Sequence, residues 1–276
     1  MKSGGAAFVW PMALLLAVCF VAPLGLLGSM SFRAPASAGA FANYAEFVTD
    51  PFAVEVLIDT LRLGVGVVLG TTLLGLPIAL LYWHAGRRLR VALIFLVLLP
   101  MLTSNVVRTF AWIVILGRQG PISQSLVALG LADSPTTLLF TDLGVVLSLC
   151  QIDLPLLLLP VLAVIGRIDE RIVDAAKLAG AGPWRIFMTI MLPLAMPGLL
   201  AGWVLVFASA TTSFVTQSVI GGARHIYLPQ LIYRHVGILF EWPYAATAAM
   251  LLLLSTGCVL VLLAAVTRHR RLLAHA

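Results

Sequence analysis

The sequence predicts an all-α, polytopic membrane protein of six transmembrane helices, on three observations. Of its 276 residues 61% are hydrophobic and 10% charged, with a mean hydropathy of +1.08, which leaves too little charge for a soluble domain of this length. Six apolar runs are long enough to cross a hydrocarbon core roughly 30 Å thick. The basic residues between those runs are segregated, alternate loops being rich and poor in them.

The first span is read at residues 8–30. Lys2 ahead of it and APASAGA after it invite comparison with a cleavable signal, but the apolar run exceeds a signal core of about 7–15 residues, so a retained signal-anchor helix is expected. An outer loop, 31–56, carries a short helix from Tyr44. The second span, 57–83, holds Gly66 and Gly70 at a spacing that lets a neighbouring helix approach, and Asp59 and Arg62 at i and i+3 near its outer end, where each satisfies the other. After the turn HAGRRLR at 84–90, the third span, 91–116, places Asn105, Arg108 and Trp112 on one helical face. An outer loop, 117–142, with a helix near 124–131, leads to the fourth span, 143–166, which carries Gln151, Asp153 and Pro155. Pro155 has no N–H to give the carbonyl of Gln151, so the helix is expected to open where the charge sits. The fifth span, 198–216, lines up Ser209, Thr212, Ser213 and Thr216 at i, i+3, i+4 and i+7. An outer loop, 217–243, holds an amphipathic helix with Ile232, Val236 and Leu239 along one side, and the sixth span, 244–266, is apolar throughout. One domain, 1–276, accounts for the chain.

Eleven of the seventeen Lys and Arg flank the spans on one side: Lys2, Arg87, Arg88, Arg90, Arg167, Arg171, Lys177, Arg185, Arg268, Arg270 and Arg271. Both termini are therefore expected in the cytoplasm. That placement also explains the net charge of +6 without nucleic acid. Cys19, Cys150 and Cys258 fall within apolar runs at no metal or redox spacing and read as packing residues.

The stretch 169–202, DERIVDAAKLAGAGPWRIFMTIMLPLAMPGLLAG, is more than a connector. Ile172, Ala175, Ala176 and Ala179 share one face of a short helix, Arg171, Asp174 and Lys177 lie off it, Gly180 and Gly182 stop it, and Pro183 suits the first turn of the next helix. A folded elbow of this kind on the cytoplasmic side is a surface built to touch something.

Asp174, Ala175, Ala176, then Gly180, then Ile190, Leu192 and Pro193 resemble the signature loop of permease subunits in binding-protein-dependent ABC importers, with Asp174 in place of the usual Glu. The resemblance implies the type I importer permease fold, with 175–182 as a coupling helix that docks on an ATPase subunit through Asp174, Ala175, Ala176, Leu178, Gly180, Ala181 and Gly182. The stretches VRTFAWIVILG at 107–117, FVTQSVIGG at 214–222 and LIYRHVGILFEWPYAA at 231–246 are similar to the spermidine and putrescine permeases. Several of those carry an acidic residue just before Phe-Val-Thr; here it is Ser213, which removes one anionic partner for an ammonium group. What the resemblance implies about assembly is two ATPase subunits that bind ATP and Mg, this chain itself holding no cofactor; a second, related permease; a periplasmic solute-binding protein; and a bacterial inner membrane.

An ionisable side chain inside a span costs at least about 2.5 kcal/mol on insertion scales, which makes Arg108 and Asp153 functional candidates. Their depths match, so two readings stand: an ion pair bracing spans three and four, or a solute path in which Asp153 meets an amine and Arg108 a carboxylate or phosphonate. Asn105, Trp112, Ser209, Thr212 and Ser213 complete the candidate path. Hydroxyls there also serve as helix-packing glue, and Trp112 can stack on a cation or anchor at the interface. The chain has no GxxxxGK[ST] phosphate loop and no HExxH, and its histidines lie outside the spans, so no enzyme activity is expected. The rival to an ATP-driven importer is an ATP-independent channel or secondary carrier for a small ion or solute.

Overall fold

A computed structural model describes residues 4–33 and 39–273, and among these the regular secondary structure is all helical, with no strand. In order the helices are α1 Gly4–Ser31, α2 Ala42–Thr49, α3 Pro51–His84, α4 Arg87–Leu98 with a 3-10 turn Leu99–Leu102, α5 Asn105–Leu116, α6 Pro121–Ala128, α7 Asp142–Ile165, α8 Glu170–Leu178, α9 Pro183–Ile186, α10 Leu192–Thr212, α11 Phe214–Thr216, α12 Leu228–Gly237 and α13 Trp242–Leu273. Two π-helical segments, Phe187–Met191 and Gln217–Gly221, follow α9 and α11. Among the described residues five helices are long and apolar enough to cross a membrane, or six if a bent pair counts as one span.

The chain divides into two compact units. In the unit of residues 1–58 and 228–255, α1 is exposed from residue 10 to 26 and apolar all round, as suits a helix surrounded by lipid. Its C-terminal end is held by polar contacts: Asn43 donates to the carbonyls of Ser31 and Arg33 at 3.0 Å, and Thr247 to that of Ser31 at 3.2 Å.

The second unit, 59–227 and 256–276, carries a continuous apolar core that includes Val67, Leu149, Leu158, Val206 and Ile220. Here α7 and α10 run close together because small residues allow it: a Cβ on Gly198 would stand 2.6 Å from the Pro160 carbonyl oxygen, and one on Gly202 3.0 Å from Leu157 Cα. Of the Gly66 and Gly70 pair on α3, only Gly70 sits at a close approach: a Cβ there would collide with the Cys150 side chain on α7, whereas one at Gly66 would make ordinary contact with Val146.

Three expectations need correction. The third span is not one straight helix: Arg87–Leu102 and Asn105–Ala128 meet at 98°. Pro100 brings in a 3-10 turn, and the Thr103 side chain and N–H both bond the Pro100 carbonyl, so α5 starts afresh at Asn105. The fifth span begins at Pro183 rather than 198 and breaks at Ser213, leaving Thr216 beyond it. On α12 the fully buried residues are Leu228 and Leu231, while Leu239 lies past its end and is exposed. The Asp59 and Arg62 pair forms as expected, at 3.2 Å and exposed.

Candidate functional site

The elbow is built from α8 outward. The Asp169 carboxylate caps α8 by accepting from the Arg171 N–H at 2.9 Å. The helix ends at Leu178 in a glycine-terminated turn: the Gly180 N–H donates to the Lys177 carbonyl at 2.9 Å and the Ala181 N–H to that of Ala176 at 3.0 Å, with Gly180 at φ +79°. A residue with a Cβ is strained there, so the Ala-Ala-x-x-x-Gly spacing is the chemistry of one helix end. The expected coupling helix 175–182 is thus corrected: the helix is Glu170–Leu178, and 179–182 form the turn into α9, where Gly182 precedes Pro183.

Faces are also reassigned. Val173 is buried with Ile186, Phe187 and Met191, and Ala176 and Ala181 pack against them. Ile172, Ala175, Ala179 and Gly182 look outward, as do Leu178, 91% exposed, and Trp184, 68% exposed. Lys177 pairs with Asp174 at 2.9 Å on the surface. The sequence reading passed over Val173 as the anchor; its i, i+3 spacing to Ala176 was the available signal.

The polar face within the bundle draws on α5, α7 and α10. Asp153 is 2% exposed; its Oδ1 accepts from Ser209 at 2.8 Å, and its Oδ2 has no partner among the described residues. Arg108 makes no ion pair with it: the guanidinium Nη1 donates to the carbonyl of Ile152 at 3.2 Å, and its Nε is buried without a partner among the described residues. Trp112 donates to Gln151 Oε1 at 3.0 Å, and the hydroxyls of Thr109 and Thr216 meet at 3.0 Å. So Arg108, Trp112, Asp153 and Ser209 come together on facing helices. Asn105 opens α5 exposed, Thr212 bonds back to the Ala208 carbonyl at 2.7 Å, and Ser213 forms the break after α10. Gln217 was missed. It is fully buried, donates to the Ala210 carbonyl at 2.8 Å across that break, and keeps Oε1 unpaired among the described residues. A glutamine in the apolar run FVTQSVIGG was its signal.

Elsewhere in the same unit, a cavity of about 220 Å³ is lined by Asp59, Arg62, Asp142 and Tyr227. Tyr227 donates to Asp142 Oδ1 at 2.7 Å, and His225 Nδ1 meets the same oxygen at 2.8 Å. Burial and the neighbouring Asp142 carboxylate push the Tyr227 hydroxyl well above its ordinary range, so it stays a donor.

Comparison with known proteins places these features in context. The family described as "Binding-protein-dependent transport system inner membrane component" matches residues 66–272, which include both the elbow and the polar face. The spermidine/putrescine transport system permease protein PotB of Salmonella typhimurium (strain SL1344) is 30% identical over 220 residues, 80% of this chain and 76% of its own. A chain of a bacterial ABC transporter involved in the import of the acidic polysaccharide alginate superposes with a TM-score of 0.78 at 18% identity, covering 96% of this chain and 94% of that one. A chain of the MetNI methionine ABC transporter, in an inward-facing conformation, does so with a TM-score of 0.60 at 17% identity, covering 80% and 98%. These two likenesses are of fold.

Proposed function

This chain belongs to the family of binding-protein-dependent transport system inner membrane components, multi-pass permease subunits of ABC importers and not enzymes, and from that premise we propose that it passes a small amine-bearing solute of the polyamine class into the cytoplasm. Asp153 carries the reading. A buried carboxylate with one oxygen bonded by Ser209 and the other unpartnered among the described residues suits an ammonium group, and the similar PotB protein is named for spermidine and putrescine. Trp112 adds an aromatic face for a cation. Arg108, its guanidinium turned to a main-chain carbonyl, sets the polarity of the same lining.

The driving force comes from outside the chain. Two ATPase subunits, holding ATP and Mg, close on the exposed face of α8; a second, related permease completes the path; a periplasmic binding protein delivers the solute. With both termini cytoplasmic, the elbow faces the ATPases. Motion at α8 enters the bundle through Val173 and passes along Pro183–Thr212 to Ser209, which touches Asp153.

Uptake of labelled spermidine and putrescine by cells expressing the whole importer tests this. Saturable uptake that disappears on ATP depletion and falls steeply in Asp153→Asn is the expected result. Uptake that survives ATP depletion would favour a channel or carrier, and uptake indifferent to Asp153→Asn would remove the amine reading.

A further inference from the structure

Behind the elbow lies a cavity of about 290 Å³ formed by three elements: the end of α3 with His84, the α3 to α4 corner with Gly86 and Arg90, and α8 with Lys177. Its lining holds two cations, Arg90 and Lys177, together with His84, against one acid. The one acid, Asp174, is engaged by Lys177 at 2.9 Å, whereas Arg90 is held in place by donating to the Tyr82 and Trp83 carbonyls at 3.2 and 3.0 Å. His84 Nδ1 is bonded to the Leu80 carbonyl at 3.0 Å, which directs Nε2 away from the helix.

The charge at this corner has the wrong sign for a helix start. Acidic residues stabilise a helix N-terminus, yet α4 begins with Arg87 and Arg88, has no acid in its first turn, and its N-cap Gly86 supplies no side-chain cap. Both arginines are exposed. Cations beside uncapped amides repel the helix dipole unless an anion joins them. Immediately along α4, Val91, Phe95 and Leu96 are more than 60% exposed and form an apolar lane leading away from the corner. The corner is therefore amphiphilic: beside the cavity lie the exposed Arg87 and Arg88 and a helix start without a side-chain cap, and beyond them an apolar face, at the level where the second apolar run ends.

We propose that this cavity binds a phosphate anion, presented by the headgroup of an anionic phospholipid whose acyl chains run along α4. The bound headgroup links α8 to the α3 to α4 corner, so lipid charge sets how firmly the elbow is held against the bundle. This does not depend on the identity of the solute.

Native mass spectrometry of the full-length chain, titrated with phosphatidylglycerol or with phosphatidylcholine of the same acyl chains, tests it. Phosphatidylglycerol is expected to bind preferentially. Lys177→Gln should weaken it about fivefold, the equal of ~1 kcal/mol for one cation near a membrane surface, and the His84→Gln/Lys177→Gln pair should weaken it further. Both side chains are on the surface, so the thermal midpoint in phosphatidylcholine should hold. Arg167→Gln removes an exposed charge outside the cavity and should leave the preference intact. Inorganic phosphate at millimolar concentration distinguishes the sources. No displacement supports the lipid headgroup, and displacement supports the anion site with free phosphate as occupant. Equal retention of the two lipids, or an effect of Arg167→Gln as large as that of Lys177→Gln, would overturn the proposal.

Discussion

Ser209 on α10 donates to Asp153 on α7 at 2.8 Å, the one side-chain hydrogen bond between those two helices among the described residues. Hydrogen bonds to a carboxylate are worth about 1.5–3 kcal/mol, so Ser209→Ala should lower stability by that order and leave both Asp153 oxygens unpaired. Thermal unfolding of the purified chain measures the first effect. Solute uptake measures the second, which should fall further than in Thr212→Ala, since Thr212 bonds only back to its own helix.

Gly180 sits at φ +79° with open space around its Cβ position, so bulk alone does not clash there. The left-handed backbone costs an ordinary residue roughly 1–2 kcal/mol, and Asn tolerates it best. Gly180→Asn should therefore keep much of the uptake and Gly180→Val should lose it, while both insert normally by membrane fractionation. Gly180→Asp, which adds a charge to the docking face, should abolish transport with insertion intact.

Tyr227 is neutral and donates to Asp142 in the folded protein, its ionisation displaced upward by burial. The unfolded side chain ionises near pH ~10, so this stabilisation is complete below that pH and is lost as pH rises beyond it. Tyr227→Phe should be less stable than the parent at neutral pH by about 1 kcal/mol and should show a shallower alkaline decline. A pH series of unfolding midpoints reads both.

Much of this was legible in the sequence because its signals are local. The hydroxyl spacing of the fifth span and the two ionisable residues in apolar runs pointed to Ser209, Asp153 and Arg108, and a helix end that needs φ > 0 made Gly180 readable. What failed was relational. Periodicity measures one helix at a time, so the 98° bend between Arg87–Leu102 and Asn105–Ala128 was hidden inside a single apolar run. Matching depths suggested an ion pair, but depth says nothing of rotation, and Arg108 turns to the Ile152 carbonyl instead. The alanines marked one face of α8, but of that face only Ala176 packs inward, beside the buried Val173. Gln217 fell beyond the expected end of the fifth span, and only the break at Ser213, followed by a π-helical segment, lets it reach back to the Ala210 carbonyl.

In the proposed mechanism force from an ATPase enters through the outward face of α8, whose Leu178 is 91% exposed. The direct measurement is cross-linking from Leu178→Cys, in a background with Cys19, Cys150 and Cys258 replaced, within the assembled importer. A cross-link to the ATPase subunit, with position 178 shielded from a water-soluble maleimide, is the result the account predicts. Free labelling of that position in the intact, transporting complex, with no cross-link formed, would contradict it.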